Sequence, residues 1–167
     1  MGVSVPAKVD RIDRAIVSLL VEDGRMSSAE ITRRVGHVSE RAVRYRIERL
    51  IRSGVVRIGA VVDPHAVGYP VIGDVLIDVA PGQLQDVAAQ IVDFESVSYV
   101  AGSVGDGDLS VQVCARDTEE LLRFVNEVIG KVPGVTRTRT VMVPWKLKDV
   151  YQWHVPVGAS DEGRLTG

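Results

Sequence analysis

Between Arg33 and Arg52 the sequence carries seven arginines and only two acidic residues, Glu40 and Glu48. A guanidinium is a planar, permanently charged fork of donors that matches phosphate oxygens and the edge of guanine. Over residues 26–57, MSSAEITRRVGHVSERAVRYRIERLIRSGVVR, the pattern reads as two short helices joined at a tight turn, the second with a basic outer face. That is the form in which a helix-turn-helix enters a DNA groove. Residues near the start of the second helix reach base edges, so Ser39, Arg41 and Tyr45 are the readout candidates, while Arg44 and Arg49 flank the apolar stripe and can reach bases or phosphates. Glu40 suits either a cytosine amino group or the positive end of its own helix. Arg46 lies close to the stripe, where an internal ion pair with an acidic residue of the first helix competes with DNA contact.

The net charge of −2 over 167 residues argues against nucleic acid until it is divided. Residues 1–60 hold 12 Lys+Arg against 7 Asp+Glu, and residues 61–167 hold 8 against 15. A basic module joined to an acidic one suggests a nucleic-acid-binding part attached to a domain with another task. A hydrophobic fraction of 46% suits a folded chain, and no apolar run reaches membrane-spanning length. The opening MGVSVPAKVDRID has no apolar core of signal type, and Cys114, the single cysteine, rules out an intrachain disulfide; both point to the cytoplasm.

The elements that must position these side chains follow from periodicity. Ile12, Ala15, Ile16, Leu19 and Leu20 form one apolar stripe, predicting a helix over 9–22 that Asp23-Gly24 breaks. Ser27 with Glu30 predicts a capping box for a short second helix ending at Gly36. Ser39 caps a third, running to Ser53, with Val43, Ile47, Leu50 and Ile51 inward. The β-branched run 55–62 reads as a wing or a connecting strand, and Asp63 to Pro70 as a linker.

From Val71 the pattern becomes strand, helix, strand, strand, helix, strand. Val71–Val79 alternates, 82–93 has helical spacing, and Val97–Val104 and Leu109–Ala115 flank the hairpin signal Gly105-Asp106-Gly107-Asp108. A helix opens at Asp117 with Leu121, Leu122, Val125, Val128 and Ile129 as its apolar positions, and Val135–Val143 is the last strand. The fold class is therefore α+β, an N-terminal winged helix-turn-helix followed by a ferredoxin-like βαββαβ domain. The expected divisions are 1–60, a linker 61–70, the sheet domain 71–148 and an extension 149–167 with a loose end. A single such sheet leaves apolar residues uncovered on one face, which self-association would bury. Trp145, Tyr151 and Trp153 are candidates to anchor a final extended segment, with packing as core their default expectation.

Six short pieces in order carry a resemblance. They are Val9-Asp10-Arg11-Ile12-Asp13, Asp23-Gly24-Arg25, Val43-x-x-Arg46-Ile47-x-x-Leu50 with Gly54-Val55-Val56, Val62-Asp63-Pro64 with Gly68-Tyr69, Val104 to Asp108, and Val132-Pro133-Gly134-Val135 with Thr138-Arg139-Thr140. Together, over 9–148, they resemble the Lrp/AsnC (feast/famine) family of prokaryotic transcription regulators. The resemblance implies a dimer or larger ring that binds double-stranded DNA and a small effector, commonly an amino acid. It places the effector pocket between subunits, at positions that here are Gly105, Asp106, Asp108, Thr138 and Thr140. A carboxylate accepts from an ammonium group, and glycine amides and threonine hydroxyls can hold a carboxylate. Gly107 stands where the family usually has an aromatic, and the turn Gly36-His37-Val38-Ser39 is one residue longer than usual.

Two other readings are set against a gated DNA-binding regulator. Relatives of this architecture act on tetrapyrroles as sirohaem decarboxylases. Here His37, His65 and His154 lack metal-ligand spacing and no nucleophile–base grouping is visible, so an enzyme and a resident cofactor or metal are not expected. The third reading, an effector-binding or assembly module that no longer binds DNA, is opposed by the retained arginine face.

Overall fold

The computed structural model describes residues 9–154, so the expected loose end beyond Val155 lies outside the described residues. The chain divides into two compact units, one holding residues up to Val61 together with those from Lys148, the other spanning Val62–Leu147.

In the first unit, α1 (Arg11–Glu22), α2 (Ser28–Val35) and α3 (Glu40–Arg52) enclose a core of Ile16, Val17, Leu20, Ile31, Val43 and Leu50. The expected stripe of α1 packs inward. Its cap is more elaborate than its sequence suggested: Asp10 accepts from the Asp13 amide while the Asp13 carboxylate accepts from the Asp10 amide. Such reciprocal satisfaction of free helix-end donors was expected at Ser27 and Glu30, but only half of it forms there. Ser27 Oγ accepts from the Glu30 amide, and the Glu30 carboxylate turns instead to Arg33 and Arg34. Two guanidiniums within reach outcompete one backbone amide. Ile51, expected inward, is exposed, because it lies at the edge of the stripe set by Val43 and Leu50. Residues 55–62 form no strand among the described residues, so the expected wing has no ladder; Val55 and Val56 donate to the Leu50 carbonyl as the helix ends.

The second unit is the expected βαββαβ order: β1 (Val71–Val79), α4 (Leu84–Val92), β2 (Val97–Gly102), β3 (Leu109–Ala115), a second helical segment α5 (118–131), and β4 (Val135–Met142). The strands lie in the order β2-β3-β1-β4, all pairs antiparallel. Val75, Ile77, Val111 and Val113 face Val87 and Ile91 of α4 and Leu121, Val125 and Ile129 of α5, so both helices cover one face. Phe94 and Phe124 meet edge to face at 5.7 Å.

α5 departs from the expected continuous helix. Thr118–Arg123 is α-helical, Phe124–Val128 is a π-turn and Ile129–Lys131 a 3₁₀ turn. The inserted residue resets the helix phase, burying Ile129 and leaving Val128 at the surface; Leu122, ahead of the turn, is exposed as well. β2 ends at Gly102, and Val104 is fully exposed. Trp145, Tyr151 and Trp153 are exposed rather than packed as core.

Gly134 turns the chain into β4 at φ +97°, and an added Cβ would lie 2.1 Å from Gln83 Oε1 and 2.9 Å from the buried Val87 Cγ2. Gln83 can swing away but Val87 cannot, so Gly134→Ala is expected to destabilise the sheet unit by about 2 kcal/mol, read by urea denaturation. At the start of α5, hydrogen bonds from the Arg116 guanidinium, then from its backbone amide, hold the Glu120 carboxyl down at about 2. A depressed folded-state value stabilises above the ordinary glutamate range and is lost as pH falls toward 2. Glu120→Gln should therefore flatten the fall in stability below pH about 4.5, a small effect because the Arg116 partner is solvent-exposed.

Candidate nucleic-acid interface and effector site

α3 begins where Ser39 Oγ accepts from the Ala42 amide and buries Val43 and Leu50 against α1 and α2. This fixes which side chains are left outward. Arg41, Arg44, Tyr45, Glu48 and Arg52 are all exposed, and their spacing puts them along one side of the helix. Arg44 is held by Glu40 four residues earlier at 2.8 Å, an exposed pair that a stronger anion can displace. Among the described residues these side chains keep their outer face open to solvent.

The two remaining arginines of α3 do something else. Arg46 Nη1 donates to Asp10 Oδ2 and to Asp13 Oδ1, each at 2.7 Å, which is the ion pair with the first helix weighed from the sequence. Arg49, read as a DNA-contact candidate, sends Nη2 to the other oxygen of Asp13. Asp13 has no solvent exposure, so a buried carboxylate is shared by two guanidiniums. Burial pushes the Asp10 carboxyl up, but the Asp13 amide and then the Arg46 guanidinium outweigh that and leave it more acidic than usual. In the sequence Arg46 stands out beside the apolar stripe, and no particular acid of the first helix does. Asp13 was findable as the one charged position inside the inward stripe of α1.

In the sheet unit the hairpin residues meet the end of β1. The Asp108 amide donates to the Ile77 carbonyl at 2.8 Å, and Asp108 Oδ2 accepts from the Val79 amide at 2.7 Å. Gly105 and Gly107 have φ of 120° and 109°, a region that favours glycine. Asp106 is almost wholly exposed and lies 3.7 Å from Arg139 Nη1. Thr138 and Thr140 stand opposite Ile77 and Val75, placing them on the helix-covered side of edge strand β4. The structure thus brings Gly105, Asp106 and Asp108 together and sets the two threonines on the other face from Arg139. Among the described residues no group of His, Cys, Asp or Glu is arranged to hold a metal, and no helix is long and apolar enough to cross a membrane.

A three-helix unit with an arginine-lined outer helix, followed by an antiparallel sheet with a charged hairpin, defines a DNA-binding protein with an appended sensing domain. Comparison with known proteins agrees in both parts. The AsnC-type helix-turn-helix domain matches residues 9–51, and the Lrp/AsnC ligand binding domain matches residues 75–152. An uncharacterized HTH-type transcriptional regulator of Pyrococcus abyssi is 39% identical over 147 residues, 87% of this chain and 90% of its own length. Among solved structures, the leucine response regulatory protein of Mycobacterium tuberculosis is 30% identical with a TM-score of 0.76, covering 88% of this chain and 99% of that one. A transcriptional regulator of Neisseria meningitidis in complex with L-Met shares the fold at a TM-score of 0.81 and 21% identity, over 90% of this chain and 98% of that one. The chain belongs to the Lrp/AsnC family. It is a DNA-binding transcriptional regulator with a ligand-binding domain, and not an enzyme.

Proposed function

We propose that this regulator works in the cytoplasm as a homodimer or larger ring, reads duplex DNA with the outer face of α3, and changes its DNA binding or assembly when an amino acid binds the sheet domain. The observation that carries the DNA half is the alignment of Arg41, Arg44 and Tyr45 on one exposed side of a helix whose other side is core. Ser39, at the helix start, supplements them. Arg49 belongs to this set only through its partly exposed guanidinium, which Asp13 already engages. The division of labour follows the charge asymmetry, with residues 1–60 on DNA, 61–70 as connection, 71–148 for effector and self-association, and 149–167 as an extension.

The effector half is supported by the family's ligand-binding domain and by the L-Met complex of the Neisseria neighbour. By position the family pocket corresponds to Gly105, Asp106, Asp108, Thr138 and Thr140. Self-association is supported by the sheet face that α4 and α5 leave uncovered, which carries Tyr99, Leu76 and Val141 among polar groups.

A gel-shift titration against genomic duplex fragments at two salt concentrations tests the reading. Affinity should fall steeply with salt, because arginines displace condensed counterions from phosphates. Absent or salt-insensitive binding would defeat it.

A further inference from the structure

The core that joins α1, α2 and α3 is aliphatic, and burial of apolar surface has no preferred direction. It presses α3 onto α1 without fixing how far α3 rolls about its own axis. Directional bonds can fix that, and they gather on one flank of α3. Arg46 and Arg49 stand one turn apart on the side of the helix between the buried Leu50 and the exposed Tyr45. Both reach one carboxylate, that of Asp13, with Arg46 Nη1 donating to Oδ1 at 2.7 Å and Arg49 Nη2 donating to Oδ2.

That carboxylate has little freedom of its own. Asp13 is fully buried, and its Oδ2 also accepts from the Asp10 amide at 3.0 Å. The Asp10 carboxylate in turn accepts from the Asp13 amide at 2.8 Å and from Arg46 Nη1 at 2.7 Å. Two carboxylates therefore face two guanidiniums, and the charges match. The anchor is built into the first turn of α1, and α3 is tied to it at two points about 4.5 Å apart along its axis. A roll of about 20° would carry a side-chain atom about 6 Å from the axis through about 2 Å, enough to part a donor from a base edge. Attraction to phosphates, which line the whole groove, survives such a shift.

We propose that Asp13 is a positioning residue for sequence selection: through Arg46 and Arg49 it sets the roll of α3, and so decides which of the exposed side chains Arg41, Arg44 and Tyr45 meet base edges. This deepens the DNA-reading role given to α3 above and rests on it. Affinity and selectivity then have different sources. The outer arginines attract a duplex at any roll, whereas the choice among sequences depends on the buried carboxylate behind them. Fixing a register is the best-attested use of a buried ion pair, and a register is what a reading helix needs.

The test uses the full-length chain and starts by selecting the duplex it prefers from a random-sequence library. Affinity is then measured for that duplex and for a shuffled one of the same length and composition, at one salt concentration. Asp13→Asn keeps the side chain's size and an oxygen for the Asp10 amide, but discards the charge that holds both guanidiniums. It should bind the shuffled duplex no more weakly than the parent, while the ratio of the two affinities falls at least about tenfold, the worth of one good base contact. Ile16→Val trims the buried stripe of the same helix without touching the ion pairs; it should lower the thermal transition and keep the ratio within about twofold of the parent. If circular dichroism shows Asp13→Asn unfolded, Arg49→Gln, which leaves Asp13 paired with Arg46, decides by the same ratio. An unchanged ratio in the folded variant, or an equal fall in Ile16→Val, overturns this inference and leaves DNA reading by α3 standing. A parent chain that prefers no duplex overturns both.

Discussion

Asp13→Ala is expected to destabilise the helix-turn-helix unit by about 3 kcal/mol. Asp13 is the one fully buried carboxylate among the described residues, and it does three things at once. Its side chain accepts the Asp10 amide to start α1, and its two oxygens take Arg46 and Arg49 from α3. Removing one partner of a buried ion pair costs about 3–5 kcal/mol because the other charge is left without compensation. The loss here should fall near the lower end of that range, since the two guanidiniums retain some exposure and can turn to water. An exposed network offers the contrast. Arg34 bridges Glu22 and Glu30 in solvent, and Arg34→Ala should cost less than about 1 kcal/mol. Urea denaturation of both variants measures the difference. A cost for Asp13→Ala no larger than that for Arg34→Ala would show that the buried network contributes nothing to the packing of α3 on α1.

How much of this was legible beforehand depends on which interactions are local. The strict alternation of Val71–Val79 and Leu109–Ala115 announced β1 and β3 with their ends, because a strand with one buried face repeats every two residues. The run 55–62 is equally rich in β-branched residues but pairs with no strand among the described residues, and composition cannot reveal whether a partner exists. In α5 the spacing of Leu121, Leu122, Val125, Val128 and Ile129 satisfies an unbroken helix, so nothing local betrays the π-turn. Trp145, Tyr151 and Trp153 were assigned to the core by residue type, a tendency that position overrides. At the candidate sites, Arg46 betrayed itself by sitting beside the apolar stripe. Arg49 did not, since reaching Asp13 depends on how α3 crosses α1. The separation of Arg139 from Thr138 and Thr140 was available from the period of two alone, but reading the three as one motif concealed it.

Arg44→Ala should weaken duplex binding by about 1–3 kcal/mol, roughly 5- to 150-fold, while leaving the thermal transition where it was. The guanidinium is exposed, contributes nothing to the core, and is tied only to Glu40 in solvent. Arg49→Ala, on the same helix and of the same type, should instead lower stability, because its guanidinium holds a buried carboxylate. The pair separates contact from scaffold more cleanly than either variant alone. The salt dependence then says what Arg44 touches. A phosphate contact would reduce the slope of log K against log salt by about one and weaken all duplexes alike, whereas a base contact would relax preference at one position of the site. Glu40→Gln supplies the converse. The intrahelical competitor for Arg44 disappears together with a negative charge near the duplex, so affinity should rise severalfold at low salt and converge with the parent as salt is raised. Equal DNA affinity in Arg44→Ala and the parent, with both folded, would remove the outer face of α3 from the interface and with it the DNA-reading role proposed for this helix.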